Sequence, residues 1–148
     1  MSAGCYSCEG NARVGSLPPR EEIVVDDYWR VAHAFGCKLP GWLVVVPRRH
    51  VVALDELAVE EMAGLGPLLR SLTSALRTVT GCEKTYVSLY AEAVGYAHVH
   101  FHVVPRMPDF TREQRGPRSI DAFLGATDDA VPDEEMDRLA LELRAALD

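Results

Sequence analysis

The sequence predicts an α+β fold: a five-stranded antiparallel sheet with one long helix packed on it and a second helix at the C-terminus. Three observations carry this. Apolar runs of strand length occur three times before residue 48 and twice after residue 84. Between them Leu57, Met62, Leu65, Leu68, Leu69, Leu72, Ala75, Leu76 and Val79 recur at spacings of three and four, the stripe of an amphipathic helix. Past Pro132, Leu139, Leu143 and Leu147 mark one face of another helix. The order β-β-β-α-β-β-α suits an antiparallel meander covered by a helix. No repeat, low-complexity tract or linker divides the 148 residues. A single domain is therefore expected over 1–148, with a core at about 5–106 and an extension at 107–148.

Taken in order, residues 1–20 are small, polar and Gly/Pro-containing, and read as an extended arm. Ile23-Val24-Val25 reads as the first strand and Asp26-Asp27 as a turn. Tyr28 to Phe35 completes a hairpin. Trp42 to Val46 is nearly all apolar, as a central strand buried on both faces would be, and Pro47 ends it. The long helix opens after Asp55. Pro67 removes one of its backbone donors and should kink or break it, and Gly81 is a C-terminal stop. Thr85 to Ala91 and Ala97 to Val104 read as the last two strands, joined by the loop Glu92 to Tyr96. Residues 107–131 read as an irregular crossing. Pro132 suits a first helical turn, and Asp133, Glu134 and Glu135 complement the positive end of the helix dipole.

The last strand carries three of the five histidines. His98, His100 and His102 alternate with Val99, Phe101 and Val103. In a strand, such residues share one face, about 6 to 7 Å apart. A row of imidazoles is either a metal site or a place for chemistry on an anion. Imidazole is a good nucleophile near neutral pH, and His-x-His pairs also chelate zinc or iron. His33 and His50 are further ligands for the metal reading, although His33 is more simply a satisfied, half-buried side chain. Cys5-Tyr6-Ser7-Cys8 is a C-x-x-C pair whose thiolates suit Zn²⁺. Alone, it is equally a pair of free thiols or a redox motif.

The run His98-Val99-His100-Phe101-His102-Val103-Val104 matches His-φ-His-φ-His-φ-φ, with φ apolar. Upstream, Val44-Val45-Val46-Pro47-Arg48-Arg49-His50 matches an apolar strand followed by Pro-basic-x-His. On these two markers the chain resembles the histidine triad (HIT) superfamily, from roughly Cys5 to Arg106. The resemblance implies a HIT-like fold. It also implies a nucleotidyl hydrolase or transferase acting on a nucleoside-monophosphate ester, anhydride or phosphoramidate. His100 would form a covalent nucleotidyl intermediate. His102 would bind the phosphate or help to protonate the leaving group, and Gly95 and Phe35 would contact substrate. Bacterial members with an N-terminal C-x-x-C imply a structural Zn²⁺ on Cys5, Cys8, His50 and His98. A homodimer through the long helix and an edge strand is also implied. Within the family the alternative is a dinucleoside polyphosphate hydrolase. Outside enzymes, it is a zinc-stabilised nucleotide-binding module with little turnover.

The chain departs from the family pattern in two places. A Gly-Gln-Ser/Thr run before the triad is replaced by Ala93-Val94-Gly95, which offers the Gly95 amide but no hydroxyl. The position of a ribose-binding Asp reads as Phe35 or Gly36. Tyr90, Glu92 and Tyr96 are candidate substitutes, each more simply a surface residue.

Charge and composition bound the rest. The net charge of −7, with six acids and two bases after Pro132, excludes a general nucleic-acid binder. A local basic pocket would draw on Arg48, Arg49, Arg106, Arg112, Arg115 and Arg118. No run is long and apolar enough to span a bilayer, and the N-terminus has no secretory signal pattern. The expectation is a cytoplasmic protein in which Cys37 and Cys82 are lone thiols.

Overall fold

Trp29–His33 (β2) and Leu43–Pro47 (β3) form the antiparallel centre of one five-stranded sheet. The computed structural model describes residues 3–125 and 127–147. Val24–Val25 (β1) pairs outside β2, while Lys84–Leu89 (β4) and Phe101–Arg106 (β5) lie beyond β3. The order is β1-β2-β3-β5-β4, which departs from a simple meander. Every residue of β5 but the last is buried, so it needs a neighbour on both sides. β4 has no fully buried residue and takes the edge. The last strand starts at Phe101, later than expected; His98, at a bend, and His100 lie on the chain leading into it.

The two faces of the sheet do different work. Trp29, Val31, Leu43, Val45, Phe101 and Val103 pack with Leu65, Leu72 and Leu76 of the long helix, Val59–Thr80 (α2). Leu143 of the C-terminal helix, Asp133–Ala146 (α4), joins them. Each fully buried leucine there contributes roughly 1.5–3 kcal/mol. α2 runs through Pro67 unbroken, against expectation. Pro67 and Ala63 are both exposed, so the carbonyl that Pro67 leaves unpaired meets water. Ala58 offers no capping side chain, and Glu61 reaches back to the Ala58 amide at 2.8 Å instead. Gly81, at φ +75°, closes the other end. None of the helices in the described residues is long and apolar enough to cross a membrane.

The opposite face is only partly covered. The arm read as extended contains a helix, Tyr6–Ala12 (α1), capped by Cys5, whose Sγ accepts from the Cys8 amide at 3.4 Å. Seven residues with an internal glycine do not hold a helix by propensity; α1 owes its place to what Cys5 and Cys8 face. The crossing read as irregular contains a helix, Arg118–Phe123 (α3). It is tied to the sheet side by Lys38 N–H to Phe123 O, 2.9 Å, and Val131 N–H to Cys37 O, 2.8 Å. A second apolar cluster, with Trp42, Val104, Phe110 and Met136, packs beneath it. Cys37 and Cys82 are buried free thiols.

Candidate active site and metal centre

β3 pairing fixes the geometry of the open face. Ala32 lies opposite Val44, and Val44 opposite His102. Paired residues share a face, so His102 projects into the space between α1 and α3. A cavity of about 830 Å³ opens there, within the range of small-molecule sites. His100, His102 and Phe35 line it, with Tyr6, Arg30, Tyr90, Glu92 and Tyr96. Gly95 does not: its carbonyl is turned to the Tyr6 amide at 3.3 Å. The arginines near the two markers build no basic pocket here, as their simpler reading as surface residues has it. None of the six arginines near the two markers reaches the cavity, and the guanidinium that does is Arg30. Arg49 is taken by Glu61 and Arg106 by Glu83. Ile120, Leu124 and Thr127 of the C-terminal extension form part of the wall.

The hydrogen bonds assign the imidazole nitrogens. His100 Nδ1 is 2.8 Å from the His98 carbonyl oxygen, which only accepts. Nδ1 therefore carries the proton, and Nε2 keeps its lone pair. His102 is the opposite case. Trp42 Nε1–H donates to its Nδ1 at 3.1 Å, so Nε2 carries the hydrogen. The two rings lie 4.9 Å apart at 77°. Burial, helped by the neighbouring His100, pulls the His102 pKa down to about 4. The site thus offers a lone pair beside a neutral N–H donor. His33 is fully satisfied: Nδ1–H donates to Ala34 O at 2.7 Å and Nε2 accepts from Gly41 N–H at 2.9 Å.

The His102 shift has a consequence for stability. An unfolded histidine protonates near pH 6.5, whereas folded His102 resists until about pH 4. The unfolded state binds more protons in that window, so stability falls as pH drops through it, by about 1.4 kcal/mol per unit from this group. Melting curves from pH 7 to pH 4 should show a shallower loss in His102→Gln than in the unaltered chain.

Beside this site, Cys5, Cys8, His50 and His98 converge, with donor atoms all within 4.8 Å of one another. Cys8 Sγ lies 3.2 Å from His50 Nδ1 and 3.5 Å from His98 Nδ1, and Cys5 Sγ lies 3.5 Å from His98 Nδ1. The two Nδ1 atoms are 3.2 Å apart. A tetrahedral zinc with usual bond lengths requires edges of about 3.3 Å for N···N and about 3.6 Å for S···N. The set fits. His98 Nε2–H donates to Pro47 O at 2.9 Å, which leaves its Nδ1 lone pair aimed at the thiols, the partnership that orients a metal-bound imidazole. Burial holds the Cys5 thiol above its ordinary pKa; a cation at the centre would reverse that.

Three residues that matter here were not singled out by pattern. Trp42 fixes the His102 tautomer. Asn11 holds Arg30 Nε–H at 2.8 Å, and Arg30 is buried although charged. The one signal available was Arg30 itself, a charged residue inside an apolar strand.

The HIT domain family model matches residues 18–109, more than half of the chain. No curated protein matches it. Among solved structures, a zinc-bound histidine triad family protein from Mycobacterium smegmatis superposes with a TM-score of 0.67 at 24% identity, covering 97% of this chain and 92% of that one. A Hit-like protein from Bartonella henselae gives 0.66 at 20% identity, over 84% and 85%. A uridylyltransferase gives 0.65 at 24% identity and covers 98% of this chain, which spans 46% of the other. At these identities the likeness is one of fold.

Proposed function

Because the chain belongs to the HIT domain family, we propose that it is a nucleotidyl hydrolase or transferase working through His100. Its substrate would be a nucleoside monophosphate joined to an amine, a phosphate, a sugar or a second nucleotide. The observation that carries the reading is the pair of opposite tautomers: a bare His100 Nε2 beside a neutral His102 Nε2–H. His100 Nε2 attacks the phosphorus, a nitrogen–phosphorus bond forms, and the leaving group departs with its electron pair, taking a proton from water. The His98 carbonyl stabilises the positive charge that develops on the His100 ring. His102 donates to a non-bridging oxygen, a hydrogen bond worth most as charge builds there. Burial keeps His102 neutral, and Trp42 on its Nδ1 leaves the Nε2–H free to make that bond. Water then attacks the adduct, releasing the nucleoside monophosphate and restoring imidazole. Zn²⁺ on Cys5, Cys8, His50 and His98 has a structural role: all four positions are filled by protein donors.

Incubation with nucleoside 5′-phosphoramidates and dinucleoside polyphosphates, with product analysis, tests this. Release of nucleoside monophosphate is expected. Binding without product would favour the nucleotide-binding module, a reading supported by the missing hydroxyl at Ala93-Val94-Gly95. A homodimer is also proposed, through exposed β4, where Val87 projects, and the outer side of α2 with Met62. Sedimentation at micromolar concentration should give twice the chain mass; a monomer would refute it.

A further inference from the structure

The cavity is polar at the end away from the histidines, and nothing in the proposed chemistry uses that end. Arg30 is 2% exposed and lines the cavity beside Glu21. Its Nε–H donates to Asn11 Oδ1, and Nη1 donates to the Glu21 carbonyl at 2.7 Å and lies 3.5 Å from Glu21 Oε2. Among the described residues Nη2 has no hydrogen-bond acceptor. It lies over Gly10, where a Cβ would come within 2.6 Å of it, so α1 carries a glycine at the one point where the guanidinium needs the space. The Glu21 carboxylate accepts from the Tyr6 hydroxyl at 3.2 Å and has lone pairs to spare.

Register places this pair relative to the triad. Arg30 lies opposite Val46. One step past the last β3–β5 pair, Val45 with Phe101, Val46 comes alongside His100. Arg30 and His100 thus lie about two strand spacings apart, ~10 Å along the sheet. A backbone separation of that order suits a mononucleotide with its phosphorus at His100 and its base towards Arg30. Between them the floor is flat and apolar, Ala32, Val44 and Val46. The rings of Tyr6, Phe35 and Tyr96 stand together with centroids 4.8–6.0 Å apart. A planar base fits against such surfaces.

We propose that Arg30 and Glu21 form a base-reading subsite that selects guanine. This rests on the nucleotide reading above. A guanidinium beside a carboxylate is close to neutral together, so it suits an uncharged edge with acceptors and donors side by side and not a second phosphate. Guanine offers O6 to Arg30, and N1–H with N2–H₂ to both carboxylate oxygens. Adenine offers the carboxylate a single donor and turns a ring lone pair towards the rest of the site. Buried polar groups left unmatched by the wrong base discriminate strongly.

The test is calorimetric binding of GMP, AMP, UMP and CMP to the full zinc-loaded chain, repeated with Glu21→Gln. GMP should bind at least about tenfold more tightly than AMP. Glu21→Gln should erase that preference by lowering GMP affinity to the level of AMP, whereas a merely structural role for Glu21 would weaken both nucleotides alike and keep their ratio. Equal affinities in the unaltered chain, or a preference for AMP or a pyrimidine, would overturn the base-reading subsite and leave the nucleotide reading standing. Binding of none of the four would overturn both.

Discussion

His100→Ala should lower turnover of a nucleoside phosphoramidate by about 10³-fold or more, on the order of 4 kcal/mol in the barrier. Nucleotide affinity should hold, because the apolar floor, the aromatic rings and Arg30 remain. The variant should also keep its metal, since His100 is not among the four converging donors. A fall in kcat with an unchanged dissociation constant is the signature of a group that acts in the transition state alone. If His102 were the nucleophile instead, its Nδ1 would have to release the Trp42 indole N–H and its tautomer would have to invert. His102→Ala should therefore cost less than His100→Ala. Steady-state kinetics on both variants, with one substrate, check the order.

The second large effect concerns the metal centre. Cys8→Ser should lose about one zinc per chain, measured by elemental analysis, and should lower the melting temperature. Free metal at a thousand times its dissociation constant stabilises a fold by about 4 kcal/mol. For a chain of this size that corresponds to a loss on the order of 10 °C. Function should suffer with stability, for reasons specific to this architecture. Tyr6 and Ser7, the residues between the two cysteines, line the cavity. Asn11, one turn further along α1, holds Arg30. His98, through its own carbonyl, fixes the His100 proton. Nucleotide affinity should therefore weaken with loss of metal, and titration of zinc into chelated protein should restore it. If zinc instead bound among His98, His100 and His102, Cys8→Ser would retain the metal and His100→Ala would lose it.

Much of this arrangement was legible in the sequence because it is written in residue type. Histidines and cysteines are scarce, and it was the resemblance to bacterial triad proteins, carried by the two markers and the C-x-x-C pair, that implied the four donors the fold gathers. The strands were legible because their apolar runs are short and bounded by turn residues. What stayed hidden depends on register and on distant neighbours. α1 has no helical pattern of its own, and its cause, a cluster with His50 and His98, lies tens of residues away. β5 slots between β3 and β4 because of burial on both faces, which composition alone does not distinguish from a meander. Trp42 reads as a core aromatic; its N–H on His102 follows from the diagonal pairing of β3 with β5. Arg30 stands out as a charge in an apolar strand, but what encloses it, α1 and Glu21, is not written in the strand. Residues 107–131 have no periodicity, yet four of them, Ile120, Leu124, Gly125 and Thr127, wall the cavity.

The central claim is that His100 carries the nucleotidyl group. The most direct measurement is rapid acid-free quenching of the unaltered chain with a nucleoside phosphoramidate, followed by proteolysis and mass spectrometry. The expected result is a peptide containing His98 to Arg106 that has gained one nucleoside monophosphate, with fragmentation assigning it to His100 and with no such gain in His100→Ala. A nucleotidyl group found on His102 or on a cysteine, or full turnover by His100→Ala, would contradict the account.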